Sequence, residues 1–359
     1  MAFLEFKNVR IAGMAAGVPK HIASNLHPDP EDSVSSDYSP EDFIKTTGVR
    51  ERRTSPTLCT SDLCYKAAEQ LISDLGWDKK DIEAILFVSQ TPDYILPATA
   101  CILQDRLGLS KECYATDMSI GCSGWLYGLS SLAALVDNGG IKKALLMVGD
   151  AKGRVKGKRN PLFGSAGTVT AIEYSTEATS LKFHFGTDGS GFDAIITPDG
   201  GSRNQITDNS FQYYDYEGRH INRLHSRMKG MDVFSFGITT APKSIKKLGE
   251  HFGVDYNEAD YFVFHQANLK MNDLIVKKLK IDTTKVPNSL HEFGNTNGAS
   301  IPMTIVTQLQ EQLRAPKKLL CCGFGVGLSW GSLIFDTDKN IVISKLVELE
   351  DSDTSTYVV

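Results

Sequence analysis

Short apolar runs separated by amphipathic stretches set the rhythm of this chain. Ala84–Val88, Tyr114–Met118, Ala144–Val148, Tyr261–Phe264 and Leu319–Cys322 read as strands, bounded by turn-forming residues. Between them, Ser61–Leu75, Ala98–Leu107, Trp125–Val136 and Met271–Leu279 carry apolar residues at helical spacing. Strand and helix in alternation predict a mainly parallel, helix-covered sheet in each half of an α/β protein. The first residues, MAFLEFKNVRIAGM, alternate like a strand and lack the basic segment and long apolar block of an export signal. His27–Pro40, Lys152–Pro161 and Pro198–Gly218 are rich in Pro, Gly, Asn and charge, and read as loops or lids.

The pattern repeats itself once. Glu83-Ala-Ile-Leu-Phe-Val-Ser89-Gln90 is echoed by Glu258-Ala-Asp-Tyr-Phe-Val-Phe-His265-Gln266, and both lead into a helical stretch. Lys142-Lys-Ala-Leu-Leu-Met-Val-Gly149 is echoed by Lys317-Lys-Leu-Leu-Cys-Cys-Gly323. A separation near half the chain is too long for a solenoid unit and suits a duplicated half-domain. The expected boundaries are residues 1–177 for the first half and 178–340 for the second, with 341–359 as an acidic, mobile tail assigned no function.

Composition narrows the classes. The 359 residues are 41% hydrophobic and 23% charged, ordinary for a globular protein and long enough to bury a sizeable core. A formal net charge of −5 argues against a general nucleic-acid binder. Lys152–Lys158 is nonetheless strongly basic, either as a solvated loop or as a binding segment. No stretch reaches the roughly 18 apolar residues of a membrane span. The seven cysteines form no Cys-x-x-Cys pair and have no zinc-spaced histidines, which fits a reducing cytoplasm.

Four segments carry candidate chemistry. In Ser119-Ile-Gly-Cys122-Ser-Gly-Trp125 a thiol stands between a strand and a helix running from about Ser123 to Asn138. The positive end of a helix dipole lowers a thiol pKa and favours the nucleophilic thiolate, while a packed turn cysteine fits the same segment. His265 ends an apolar strand just before Gln266-Ala-Asn268, at the sheet edge where α/β folds collect ligands; its counterpart in the first half is Ser89. Asn295 lies in Gly294-Asn-Thr-Asn-Gly-Ala-Ser-Ile-Pro302, as a cap, a turn former or an amide donor. Gly323-Phe-Gly325-Val-Gly327-Leu-Ser-Trp-Gly331 lacks a nucleotide-loop spacing and suits an oxyanion-binding turn better.

Together GCSG, HQAN, GNTNGASIP, GFGVGLSWGS and TGVRERR at Thr47–Arg53 resemble the β-ketoacyl-[acyl-carrier-protein] synthase III family of the thiolase superfamily, in family order along nearly the whole chain. The resemblance implies a thiolase-like five-layered αβαβα fold of two pseudo-symmetric halves, a homodimer, and an acyltransferase needing no metal or redox cofactor. It makes Cys122 the acyl-accepting nucleophile, and His265 and Asn295 the donors to the carbonyl of malonyl carried on acyl carrier protein. The main-chain N–H groups of Cys122 and Val326 become the oxyanion site. Leu96, Asn268, Gly325 and Gly327 become substrate contacts, and Lys270, Lys277 and Lys280 a docking face for the acidic carrier. The expected reaction is acylation of Cys122 by acyl-CoA or an acyl carrier thioester, then decarboxylative condensation.

Some positions depart from the family pattern. The Trp and Arg that clamp adenine before TGxRER are absent; Asp42, Phe43, Lys45 and Thr46 stand there. Leu96 replaces the usual Phe of the acyl pocket, and Phe163–Gly167 reads FGSAG where FGDGA is usual. Alternatives are an acyltransferase of the same fold that does not decarboxylate, acting in secondary metabolism, and a non-catalytic acyl-binding partner subunit. The order Cys, His, Asn also occurs in papain-like proteases, but here a long α/β stretch precedes the cysteine and no Gln donor segment does.

Overall fold

The computed structural model describes residues 2–29, 32, 38–151 and 159–358. The basic run Lys152–Lys158 lies outside the described residues, as do residues 30, 31 and 33–37 of the first loop.

The chain opens with strands β1 (Ala2–Phe6), β2 (Val9–Pro19) and β3 (Ile22–Ser24), helix α1 (Pro40–Thr47) and strand β4 (Glu51–Arg53). There follow α2 (Thr60–Leu75), β5 (Ala84–Val88), α3 (Thr99–Arg106), β6 (Tyr114–Met118), α4 (Gly124–Val136), β7 (Lys143–Asp150) and β8 (Ala166–Tyr174). The middle holds β9 (Leu181–Thr187), β10 (Ile195–Ile196), a hairpin of β11 (Tyr214–Tyr216) and β12 (Arg219–Ile221), β13 (Arg227–Met228) and the long α5 (Gly230–Phe252). The last part comprises β14 (Tyr261–Phe264), α6 (Leu269–Leu279), α7 (Leu290–Phe293), α8 (Ser300–Gln308), β15 (Lys318–Gly325), β16 (Ser329–Asp336), β17 (Val342–Ile343) and β18 (Val347–Leu349).

Two sheets organise these elements. One has the order β17-β2-β8-β7-β5-β6, with β18 also on β2, and the other β1-β9-β16-β15-β14. Helices α4 and α8 touch strands of both sheets and so form the middle layer. Their sequences explain this: GWLYGLSSLAALV and SIPMTIVTQ are apolar nearly all round, as a helix between two sheets must be. Helices α2 and α3 cover the outer face of the first sheet, and α5 that of the second, with α6 packed on α5. The layers are therefore α, β, α, β, α, as the resemblance implies.

Two expectations need correction. A mainly parallel sheet is found in the first half only: β17, β18, β2, β7, β5 and β6 run one way, and among the described residues β8 alone runs against them. In the second sheet, among the described residues, only β14 and β15 pair in parallel. A strand reached by a turn or loop returns antiparallel, and no crossover helix lies between β7 and β8 or between β15 and β16. The acidic tail is not detached either. Its β17 and β18 extend the first sheet in parallel with β2, Leu349 is buried, Glu348 lies 2.7 Å from Arg53, and the Ser355 N–H reaches Asp62 Oδ1 at 3.0 Å.

Candidate active site

Cys122 sits in the turn between β6 and α4, two residues ahead of the helix, with Ser123 at the N-cap position. The turn is held from the opposite half by bare backbone. A Cβ built on Gly325 would lie 2.5 Å from Cys122 Sγ, and one on Gly323 would lie 3.0 Å from the Cys122 carbonyl. That close approach is why β15 carries glycine at both positions. Ser123 Oγ and Ser329 Oγ, 2.7 Å apart, tie the same two segments together.

His265 follows β14, where its main-chain N–H bonds the Cys322 carbonyl at 2.8 Å. Its Nδ1 stands 2.7 Å from Ser300 Oγ, at the start of α8, and that oxygen also accepts the Gln266 N–H at 3.3 Å. Phe324 closes edge-on against the ring, centroids 5.9 Å apart. Burial pushes the imidazole down to about 3, with a main-chain hydrogen bond at Asn297 offsetting part of the shift. The ring is neutral at physiological pH.

Asn295 is oriented by its own backbone neighbourhood. Its Oδ1 accepts the Asn297 N–H at 2.9 Å and its Nδ2 lies 3.3 Å from the Ala267 carbonyl. The Oδ1 contact, made to the backbone two residues on, is an Asx turn that shapes the loop, and it leaves the amide nitrogen as the end available for further donation.

Cys122, His265 and Asn295 line one cavity of about 730 Å³, together with Asn268, Gly325 and Val326. Asn268 has a second duty, accepting the Met271 N–H at 2.8 Å to cap α6. Other expected substrate contacts are elsewhere: Gly327 is not on this wall, and Leu96 projects from the loop before α3, 84% exposed beside Ile95 at 94%. Lys270 and Lys277 are exposed on the outer face of α6, opposite buried Met271, Ile275 and Leu279, and Lys280 is exposed at the left-handed cap just past its end. Among the described residues no group of three His, Cys, Asp or Glu side chains gathers to hold a metal, and no helix is long and apolar enough to cross a membrane.

The motifs did not point to several residues of the site. Ser300, in the GNTNGAS segment, is fully buried behind His265 and off the cavity wall, and it meets that ring only because the fold brings α8 under β14. Arg159, Arg219, His225 and Arg227 line the cavity, from stretches read only as loops or left unassigned.

A glycine-clamped thiol, a neutral imidazole and an oriented carboxamide in one cavity between thiolase-like halves define an acyl-transferring enzyme class. Residues 116–189 match the 3-oxoacyl-[acyl-carrier-protein (ACP)] synthase III family, and residues 250–337 its C-terminal family. A putative 3-oxoacyl-[acyl-carrier-protein] synthase 3 of Campylobacter jejuni is 32% identical over 355 residues, covering 94% of this chain and 98% of that protein. A β-ketoacyl-[acyl-carrier-protein] synthase III of Rhodopirellula baltica is also 32% identical, covering 92% and 98%. The crystal structure of a 3-oxoacyl-(acyl-carrier protein) synthase from Burkholderia xenovorans superposes with a TM-score of 0.88 at 35% identity, covering 97% of this chain and 99% of that one. The chain belongs to the β-ketoacyl-[acyl-carrier-protein] synthase III family of the thiolase superfamily, and is an acyltransferase.

Proposed function

We propose that the enzyme condenses an acyl group held on Cys122 with malonyl carried on acyl carrier protein. The Cys122 sulfur attacks the carbonyl of an acyl thioester, and the carrier leaves as a thiol, taking the cysteine proton. The N–H groups of Cys122 and Val326 hold the oxyanion that forms. Malonyl thioester then loses CO₂, and the released electron pair makes an enolate whose carbon attacks the acyl-Cys122 carbonyl. Sγ leaves and a β-ketoacyl thioester departs on the carrier. Every bond made or broken lies within or between the substrates or at the cysteine sulfur, and the acyl transfer and condensation need no external oxidant or reductant, so the scheme calls on no metal or redox group.

The observation that carries this reading is the neutral His265 sharing the Cys122 cavity with the Asn295 amide. An enolate needs donors that hold its charge without protonating the carbon. We assign the Ser300 proton to His265 Nδ1, because Ser300 Oγ already accepts from Gln266; the ring then keeps its proton on Nε2 for the substrate. The exposed lysines of α6 suit an acidic carrier, and the exposed Ile95–Leu96 tip suits a homodimer in which Leu96 reaches the second copy.

The test follows CO₂ from carboxyl-labelled malonyl carrier protein after Cys122 has been acylated. The wild type should release label only with condensation, while His265→Ala and Asn295→Ala should take up acyl groups yet release almost none. Product formed without label release would replace this scheme with transfer to another acceptor.

A further inference from the structure

The cavity around Cys122 carries charge of one sign. Among the described residues its lining includes Arg159, Arg219 and Arg227 but no aspartate or glutamate, in a chain whose formal net charge is −5. Arg159 is engaged, 2.9 Å from Asp29 and 3.5 Å from Asp32. The other two have no carboxylate within ion-pair distance among the described residues. Glu217, two residues before Arg219, attracts it from beyond ion-pair distance, while Asp199 is paired with Arg223 at 2.8 Å and Asp193 with Lys229 at 2.6 Å.

Arg219 is the more telling of the pair. Its side chain is half-buried and makes no hydrogen bond among the described residues, and its Nε is buried with no partner. The hydroxyl of Tyr214, on the facing strand of the same hairpin, is likewise buried without one. Tyr216 is the cross-strand partner of Arg219 in that hairpin, and the Arg227 guanidinium lies over the Tyr216 ring at 5.6 Å, which brings β13 up to the same hairpin. His225 adds a neutral ring: burial, then the charge of Arg219, lowers its pKa, and its Nδ1 is tied to Asn222 Oδ1 at 2.6 Å. A guanidinium stripped of water without compensation is costly. Its planar fork of donors matches a carboxylate or phosphate two bonds at a time.

We propose that Arg219, with Arg227 next to it, receives an oxyanion group of the thioester substrate remote from the reacting carbonyl: a phosphate of the carrier arm, or a carboxylate at the far end of the acyl chain. This rests on the acyl-transfer reading above and adds to it a charged specificity determinant on the β11–β12 hairpin and β13.

The experiment measures kcat/KM for hexanoyl and adipoyl groups, each on coenzyme A and on phosphate-free N-acetylcysteamine. It compares wild type, Arg219→Met, Arg219→Lys, Arg227→Gln and, as a control on the hairpin's outer face, Asp215→Asn. If phosphate is read, the coenzyme A to N-acetylcysteamine ratio falls roughly 10- to 100-fold in Arg219→Met and partly recovers in Arg219→Lys. If a carboxylate is read, the adipoyl to hexanoyl ratio falls on both carriers instead. Ratios that stay within about twofold of wild type in both Arg219→Met and Arg227→Gln overturn the proposal. Should Arg219→Met lose its cooperative melt, Arg219→Lys and Arg227→Gln decide the matter by the same ratios. A wild type that forms no Cys122 adduct with any donor would instead defeat the acyl-transfer reading itself.

Discussion

Ser89 and His265 hold the same place in the two halves, each just past a strand buried in its sheet, and they do different work. Ser89 lies 3.3 Å from Asp150 Oδ1 and 3.2 Å from Thr91 Oγ1, while the Gln90 N–H bonds the same carboxylate at 2.9 Å. That strand end knits loops together. His265 instead meets Ser300 and faces the cavity. The sheets differ in a second way: beyond β5 the first sheet continues to β6, whereas the second ends at β14. Cys122 follows that additional strand. On the proposed scheme, a duplicated framework is made catalytic by breaking its symmetry twice, with Cys122 as nucleophile after an unmatched strand and His265 as donor where the other half keeps a serine.

The largest expected effect breaks the second asymmetry. His265→Ala should lower condensation by about 10²- to 10³-fold while acyl uptake by Cys122 persists, as loss of one oxyanion-type donor does elsewhere. Single-turnover acylation and steady-state condensation, measured side by side, check it. Because the ring is neutral down to about pH 3, the wild-type condensation rate should show no inflection from His265 between pH 5 and 8. An inflection abolished by His265→Gln would contradict that neutrality.

Gly325→Ala tests the clamp between the halves. A methyl group 2.5 Å from Sγ must displace the thiol or the strand, so acylation should fall sharply, with about 1–3 kcal/mol lost in denaturant unfolding. Ser300→Ala should cost condensation about tenfold and spare acylation, with Ser300→Thr recovering part of the loss. Lys277→Glu, on the exposed face of α6, should raise KM for malonyl carrier protein a fewfold and flatten its salt dependence.

Buried histidines also make stability depend on pH. Burial depresses His265 to about 3 and His184 to about 4, from an ordinary value near 6.5. Unfolding lets both rings bind protons, so below about pH 6.5 the unfolded chain holds more of them. Stability is therefore complete above that pH and falls as pH drops toward 4, by about 1.4 kcal/mol per pH unit for each ring. Urea midpoints from pH 7 to pH 5 should follow this slope, and His184→Gln, which removes the ring that Ser244 Oγ meets at 2.8 Å, should shallow it.

Much of this was legible in the sequence because it is local. The strands at Ala84–Val88, Tyr114–Met118 and Tyr261–Phe264 appear with the expected bounds, since short apolar runs between turn residues have few other solutions. The motif residues Cys122, His265 and Asn295 meet because each follows a strand or precedes a helix in a framework the repeat announces. Antiparallel pairing was not legible: it depends on how a connection returns, which periodicity does not encode. The tail misled because its acidic residues outweigh Val342, Ile343, Val347 and Leu349, the positions that dock on β2. Ser300 and Arg219 gain their meaning only from partners they meet, or lack, in three dimensions.

The account turns on the sulfur of Cys122 being open to an acyl thioester in the cavity it shares with His265 and Asn295. Intact mass of the protein after incubation with acyl-CoA and acyl carrier thioesters tests this most directly. The account predicts one added acyl mass on the wild type, on His265→Ala and on Asn295→Ala, located at Cys122 by peptide mapping and absent from Cys122→Ala. An adduct on Cys122→Ala equal to that on the wild type, or none on the wild type with any donor, would contradict it.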